Sequence, residues 1–142
     1  MTPQEFENAE ACLRRVLSEA GLAPEPIGRG TFHVDFGEPH LPISTAVAAI
    51  IPDAAQLLVY LNFGFLVPEE SRAAALEAVA RANWDLIIGN FELDVRDGHL
   101  RFKFSLDFED AELTEPLIRN GLRGAMGAIE AHADAVMRAI SP

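Results

Sequence analysis

His33 and Asp35 stand two apart, a spacing that puts both side chains on one face of a strand, where together with His40 they could begin a metal site. No third ligand follows at a diagnostic spacing, so a solvated polar edge is the expected role. Glu92 and Asp94 repeat the spacing with carboxylates, an arrangement that paired acids use for proton transfer. Arg101 and Lys103 lie downstream where a returning strand would bring them alongside, which makes cross-strand ion pairing the simpler expectation. Asp107, Glu109, Asp110 and Glu112 could offer oxygens to Ca²⁺, but the run lacks the glycine and terminal glutamate of an EF-hand loop. It reads as a solvated acidic loop.

The remaining candidates are weaker. Gly28-Arg29-Gly30 looks like a fragment of a phosphate loop, yet a strand follows it and no GK[ST] does. His132 has Ala128, Ile129, Ala135 and Val136 as helical neighbours and therefore no second ligand one turn away. Cys12 is the only cysteine and is expected to be a small apolar filler rather than a reactive thiol. No G-x-S-x-G, H-E-x-x-H or C-x-x-C occurs. The sequence therefore assigns no catalytic, metal-binding or cofactor-binding residue, and the expectation is a protein that is not an enzyme and needs no cofactor.

Bulk properties narrow the class further. Twenty-two acidic residues against eleven Lys and Arg give a formal net charge of -11, which argues against binding a phosphate backbone. The same charge favours solubility and suits a basic or aggregation-prone partner. A chain of 142 residues, 49% of them hydrophobic, is expected to form a single domain over residues 1–142. The N-terminus carries Glu5 and Glu7 where a signal peptide would have a basic start, and no apolar run reaches the roughly 18 residues of a membrane span. With its lone cysteine, the chain is expected in the cytoplasm.

The elements that must position these residues can be read from periodicity. Thr2-Pro3-Gln4-Glu5 forms a capping box, and Phe6, Ala9, Leu13, Val16, Leu17 and Ala20 then recur at helical spacing until Gly21. Pro24 and Pro26 mark a connector. Phe32, Val34 and Phe36 alternate with polar residues as a half-buried strand does. Ile43 to Ile51 and Gln56 to Phe63 are two further strands around Pro52-Asp53-Ala54-Ala55, apolar on both faces, so that something should cover each face. Pro68-Glu69-Glu70 opens a second helix that uses Leu76, Val79 and Ala80 as its apolar side and ends near Asn83. Thr114-Glu115-Pro116 starts a last helix whose stripe is Ile118, Leu122, Ala125, Ile129, Val136 and Ile140. Gly121, Gly124 and Gly127 inside it imply close packing or a local break.

Between these helices, residues 91–106 form a hairpin. Asp97-Gly98 suits a two-residue type I′ turn, which predicts Arg96 opposite His99, Val95 opposite Leu100, Asp94 opposite Arg101, Leu93 opposite Phe102, Glu92 opposite Lys103 and Phe91 opposite Phe104. Apolar residues meet on one face and acids meet bases on the other. The hairpin end of the sheet is therefore wet, whereas Ile50, Leu58 and Tyr60 are expected to form an apolar patch on the outer face of the earlier strands. Such a patch implies a partner or dimer surface.

Asn83, Gly89-Asn90-Phe91-Glu92-Leu93-Asp94, the Asp97-Gly98 turn, Leu100-Arg101-Phe102 and a long final helix entered through Leu113-Thr114 resemble the YbjN family of proposed bacterial sensory transduction regulators. The resemblance implies an α+β fold like that of class I type III secretion chaperones, ordered α-β-β-β-α-β-β-α, with an antiparallel five-stranded sheet packed against helices. It also implies a homodimer with a protein partner and a chaperone-like or regulatory role. Three alternatives stay open: a true type III secretion chaperone; a small-molecule-sensing regulator or weak enzyme with a pocket between sheet and helix that uses His33, Asp35 or His99; and a purely structural oligomer subunit.

Overall fold

The computed structural model describes residues 1–37 and 42–140, so His40 lies outside the described residues. The element order is α1 (Pro3–Glu19), β1 (Glu25–Gly28), β2 (Thr31–Asp35), β3 (Ile43–Ile51), β4 (Gln56–Leu66), α2 (Arg72–Asp85), β5 (Asn90–Leu93), β6 (His99–Asp107) and α3 (Glu115–Ile140). The fold is α+β, with helices packed on an antiparallel sheet ordered β1-β2-β3-β4-β6-β5. The described residues form six strands where five were expected. The additional one, β1, spans the stretch read as a connector. All four of its residues are exposed and one is Pro26, so it lacks any apolar alternation, and a proline is tolerated because the strand is an edge.

Local signals set the helix ends. Thr2 Oγ1 accepts from the Glu5 N–H, and the Glu5 carboxylate accepts from the Thr2 N–H, completing the capping box. Gly21, at φ +79°, ends α1. Thr114 Oγ1 accepts from the Leu117 N–H at the start of α3. A 3₁₀ turn at Glu69–Ser71 precedes α2, so the acids expected in its first turn lie just before it.

One face of the sheet carries the core. Phe32, Val34, Ala46, Ala48, Ile50, Leu57, Val59, Leu61, Phe91, Phe102 and Phe104 are all buried there beneath the helices. From α1 come Phe6, Leu13 and Val16, and from α3 come Ile118, Ala125, Ile129 and Val136. Gly121 lets α3 sit directly on β6: a Cβ there would stand 2.6 Å from the Phe104 ring. Gly124 and Gly127 face open space, and the structure gives no packing reason for either. From α2, only Val79 of the three expected residues turns inward, joined by Ala75 and Ala82. Leu76 and Ala80 face solvent. An alanine-rich helix offers two nearly equal apolar sides, and periodicity alone does not choose between them.

The hairpin keeps its faces and shifts its register by two residues. Leu93 pairs with Leu100, Glu92 with Arg101, Phe91 with Phe102 and Asn90 with Lys103. A type I′ turn at Asp97-Gly98 needs positive φ at both residues, and of the two only Gly98 has it, at +87°. The loop is instead Val95 to Gly98. Gly98 N–H donates to the Asp94 carbonyl at 2.8 Å, and the Asp94 and Asp97 carboxylates accept from the N–H groups of Arg96 and His99. Contact with the end of β4 fixes this choice. Val67 N–H donates to the Gly98 carbonyl at 2.8 Å, and a Cβ on Gly98 would lie 2.2 Å from the Val67 carbonyl oxygen. Arg72 bridges the same corner, donating to the carbonyls of Val67, Val95 and Arg96.

Candidate binding surface

Among the described residues, no helix covers the face opposite the core. Strand register lays its residues out in rows: Thr31, Ala49, Leu58 and Ser105; then His33, Val47, Tyr60, Lys103 and Asn90; then Asp35, Thr45, Asn62, Arg101 and Glu92. Leu58 and Tyr60 therefore sit at mid-face beside Ala49 and Val47. Each is half-buried only by its neighbours in the sheet. The expectation that something covers both faces of β3 and β4 holds within this chain for the core face alone.

Ile50 does not belong to this patch. It is 2% exposed and lies on the core face, directly opposite Leu57. The four-residue connection Pro52 to Ala55 puts Ile51 opposite Gln56 and hence Ile50 opposite Leu57. Residues directly opposite share a face, so counting outward from that turn identifies Ala49 and Val47, not Ile50, as companions of Leu58 and Tyr60.

Charges border the patch on the β6 side. Arg101 lies over the Tyr60 ring, its guanidinium carbon 3.8 Å from the centroid. Its Nε donates to Glu92 at 2.8 Å, and Lys103 Nζ donates to the other Glu92 oxygen at 3.1 Å. Burial alone would push the Glu92 pKa up, but the hydrogen bonds from Lys103 and Arg101, together with their charges, hold it below the usual carboxylate range. Asp94 turns away to pair with Arg96, whose side-chain and backbone hydrogen bonds lower its pKa to about 2. Both acids are thus committed anions with separate partners. Neither has the raised pKa that a proton donor needs at neutral pH.

The other candidates do not converge. His33, Asp35 and His99 all lie on the helix-free side, so they do not line a pocket between sheet and helix. His33 on β2 and His99 on β6 are three strands apart, and the His99 ring hydrogen-bonds Asn62 at 3.1 Å. Asp107 accepts from Gln56 and from the Glu109 N–H. Among the described residues, no three His, Cys, Asp or Glu side chains are grouped as metal ligands would be. A cleft of about 980 Å³ opens between α1, the β3–β4 turn and the acidic loop, with Cys12, Arg15, Asp53 and Glu112 among its walls. Burial, reinforced by the Glu115 charge, pushes the Cys12 thiol pKa up and so keeps it protonated.

One surface feature has no counterpart in the sequence reading. Trp84, Ile87 and Ile88, where α2 gives way to β5, are 90%, 98% and 52% exposed. The signal was available in the run Trp84-Asp85-Leu86-Ile87-Ile88, which has more large apolar residues than the end of one helix can bury. No described helix is long and apolar enough to cross a membrane.

A family model described as YbjN, "putative bacterial sensory transduction regulator", matches residues 11–138. Among solved structures, the chain is similar to E. coli YbjN, described there as a putative transcription regulator, with TM-score 0.68 and 16% identity over 92% of this chain and 89% of that one. A chain of the HopA1–SchA chaperone–effector complex matches with TM-score 0.63 and 12% identity, covering 94% of this chain and 99% of that one. An uncharacterized protein from Methanothermobacter thermautotrophicus matches with TM-score 0.61 and 13% identity, with the same coverages. At these identities the likeness is one of fold, and it includes the chaperone-like architecture expected from the sequence. No curated protein is similar enough to count as a relative.

Proposed function

The chain belongs to the YbjN family, and from that premise we propose a non-enzymatic, single-domain protein-binding module that works as a homodimer in the cytoplasm, in a chaperone-like or regulatory role. The observation that carries this reading is the uncovered sheet face. Leu58 and Tyr60, with Val47 and Ala49, make an apolar centre bordered by Arg101, Lys103, Glu92, His33 and Asp35. An apolar centre inside a polar rim is the composition of a protein interface, where the rim keeps water from the contacts that supply affinity. A fold shared with a chain from a chaperone–effector complex supports the same role. The acidic charge of -11 favours a basic or aggregation-prone partner.

Affinity co-purification from the native organism, run in parallel with the Leu58→Asp variant, tests this. A protein retained by the wild-type chain and lost with the variant, at unchanged thermal stability, is the expected result. Identical sets of retained proteins would remove the sheet face as the binding site. A monomer by light scattering at every concentration would remove the homodimer.

A further inference from the structure

A notch of about 370 Å³ opens where the C-terminal end of α1 meets the first half of α3. Val16, Ala20 and Leu122 make its apolar floor, Arg119 and Arg123 its rim on α3, and Glu19 its rim on α1. We propose that it binds a small molecule with a carboxylate head and a short apolar body, the head held by Arg123 and Arg119 and the body laid on Val16, Ala20 and Leu122. The site lies on the helix side of the molecule, apart from the sheet face, and does not depend on the function proposed above.

Charge supports a carboxylate as the head. A spacing of four puts Arg119 and Arg123 on one side of α3. Arg119 shares Glu115 with Arg15, so one carboxylate already serves two guanidiniums. Among the described residues, Arg123 has neither an ion pair nor a side-chain hydrogen bond, in a chain whose 22 acids outnumber its 11 bases. A guanidinium offers N–H donors in a planar fork that matches a carboxylate. Glu19, on the opposite wall, donates charge of the wrong sign and is bonded to neither arginine. Together with the net charge of -11, it makes a doubly charged head costlier to admit than a singly charged one, which favours a carboxylate over a phosphate.

Size and shape support the apolar body. The volume lies at the lower end of the range for small-molecule sites and is too small for a helix or a folded partner. Val16 is 2% exposed and Leu122 is half-buried, so their apolar atoms lie at the floor of a concave site and not on open surface. A ligand there would tie α1 to α3 one turn beyond the Arg15–Glu115 pair.

Octanoate titrated into the full chain, followed by amide shifts in heteronuclear NMR spectra, tests the proposal. Shifts should concentrate at residues 16–20 and 119–123. Acetate, which lacks the apolar body, and octanol, which lacks the charge, should each bind at least about fivefold more weakly. Arg123→Ala should weaken octanoate by about fivefold, the upper end for a solvent-exposed ion pair, and Glu19→Gln should tighten it by removing the repelling carboxylate. Absence of shifts, or shifts centred on Leu58 and Tyr60 or on Trp84, overturns the site. Octanol binding as tightly as octanoate, or octyl phosphate binding more tightly, overturns the carboxylate head. The last turn of α1 has no base of its own. If Arg123 served only to offset the negative end of that helix, Arg123→Ala would lower the melting temperature and leave octanoate affinity unchanged, and that result also overturns the proposal.

Discussion

Replacing Asn83 by alanine should cost the fold about 2 kcal/mol, although the side chain is only half-buried. Its amide bridges α2 to the last strand of the sheet: Oδ1 accepts from the Phe91 N–H at 2.8 Å and Nδ2 donates to the Phe91 carbonyl at 3.0 Å. The Asn90 amide also reaches that carbonyl, at 3.3 Å, so alanine leaves the N–H as the group without a partner. An orphaned partly buried donor costs about 1–3 kcal/mol, and the second bond contributes about 0.5–1 kcal/mol. At the size of this chain, 2 kcal/mol lowers the melting temperature by roughly 6–8 °C. Urea denaturation followed by circular dichroism should show a lower midpoint at an unchanged slope. Asn83→Asp keeps the acceptor for the N–H and should lose less than the alanine variant. A loss below about 0.5 kcal/mol for Asn83→Ala, or an aspartate variant as weak as alanine, would refute the reasoning.

Two glycines of α3 should respond in opposite directions when replaced by alanine. Gly121→Ala drives a methyl into the buried Phe104 ring and should destabilise by about 1–3 kcal/mol, while Gly124→Ala enters open space and should stabilise by up to ~1 kcal/mol; thermal melts of the two variants decide. Glu92 and Asp94 have folded pKa values below their unfolded ones, so each favours folding above the unfolded value and loses that contribution as pH falls. Stability should drop below about pH 4.5, with Asp94 contributing down to about pH 2, and Glu92→Gln should flatten the upper part of the slope in urea titrations at successive pH values. Cys12, its thiol held protonated, should react slowly with a thiol reagent at neutral pH in the native protein and promptly once urea unfolds it.

What the sequence discloses follows from how local each signal is. The capping box at Thr2, the stop at Gly21 and the alternation of Phe32 and Val34 need only neighbours a few residues away, and all reappear in the structure. The faces of the hairpin were legible because a shift of two residues preserves them. Its register was not, because the Gly98 conformation is fixed by Val67, thirty-one positions back. Ile50 was misplaced by treating its strand alone, although the Pro52–Ala55 turn carried the count that assigns it. The inward side of α2 depends on how closely α3 and β5 approach, and a run of alanines records nothing of that. Asn83 and Gly89, noted first as marks of a family, prove to be structural: one holds β5, and the other, at φ +74°, lies where a Cβ would meet the Phe102 ring at 2.6 Å.

The two outer strands of the sheet end it by different chemistry. At β1, Pro26 has no N–H to offer a further strand. At β5, the outward N–H and carbonyl of Phe91 are already taken by Asn83. Growth by adding strands, the route by which exposed edges seed fibrils, is therefore disfavoured at both ends while the chain stays folded. Association is left to surfaces that saturate after one partner, so higher assemblies should form at the rate of unfolding and not at the rate of encounter.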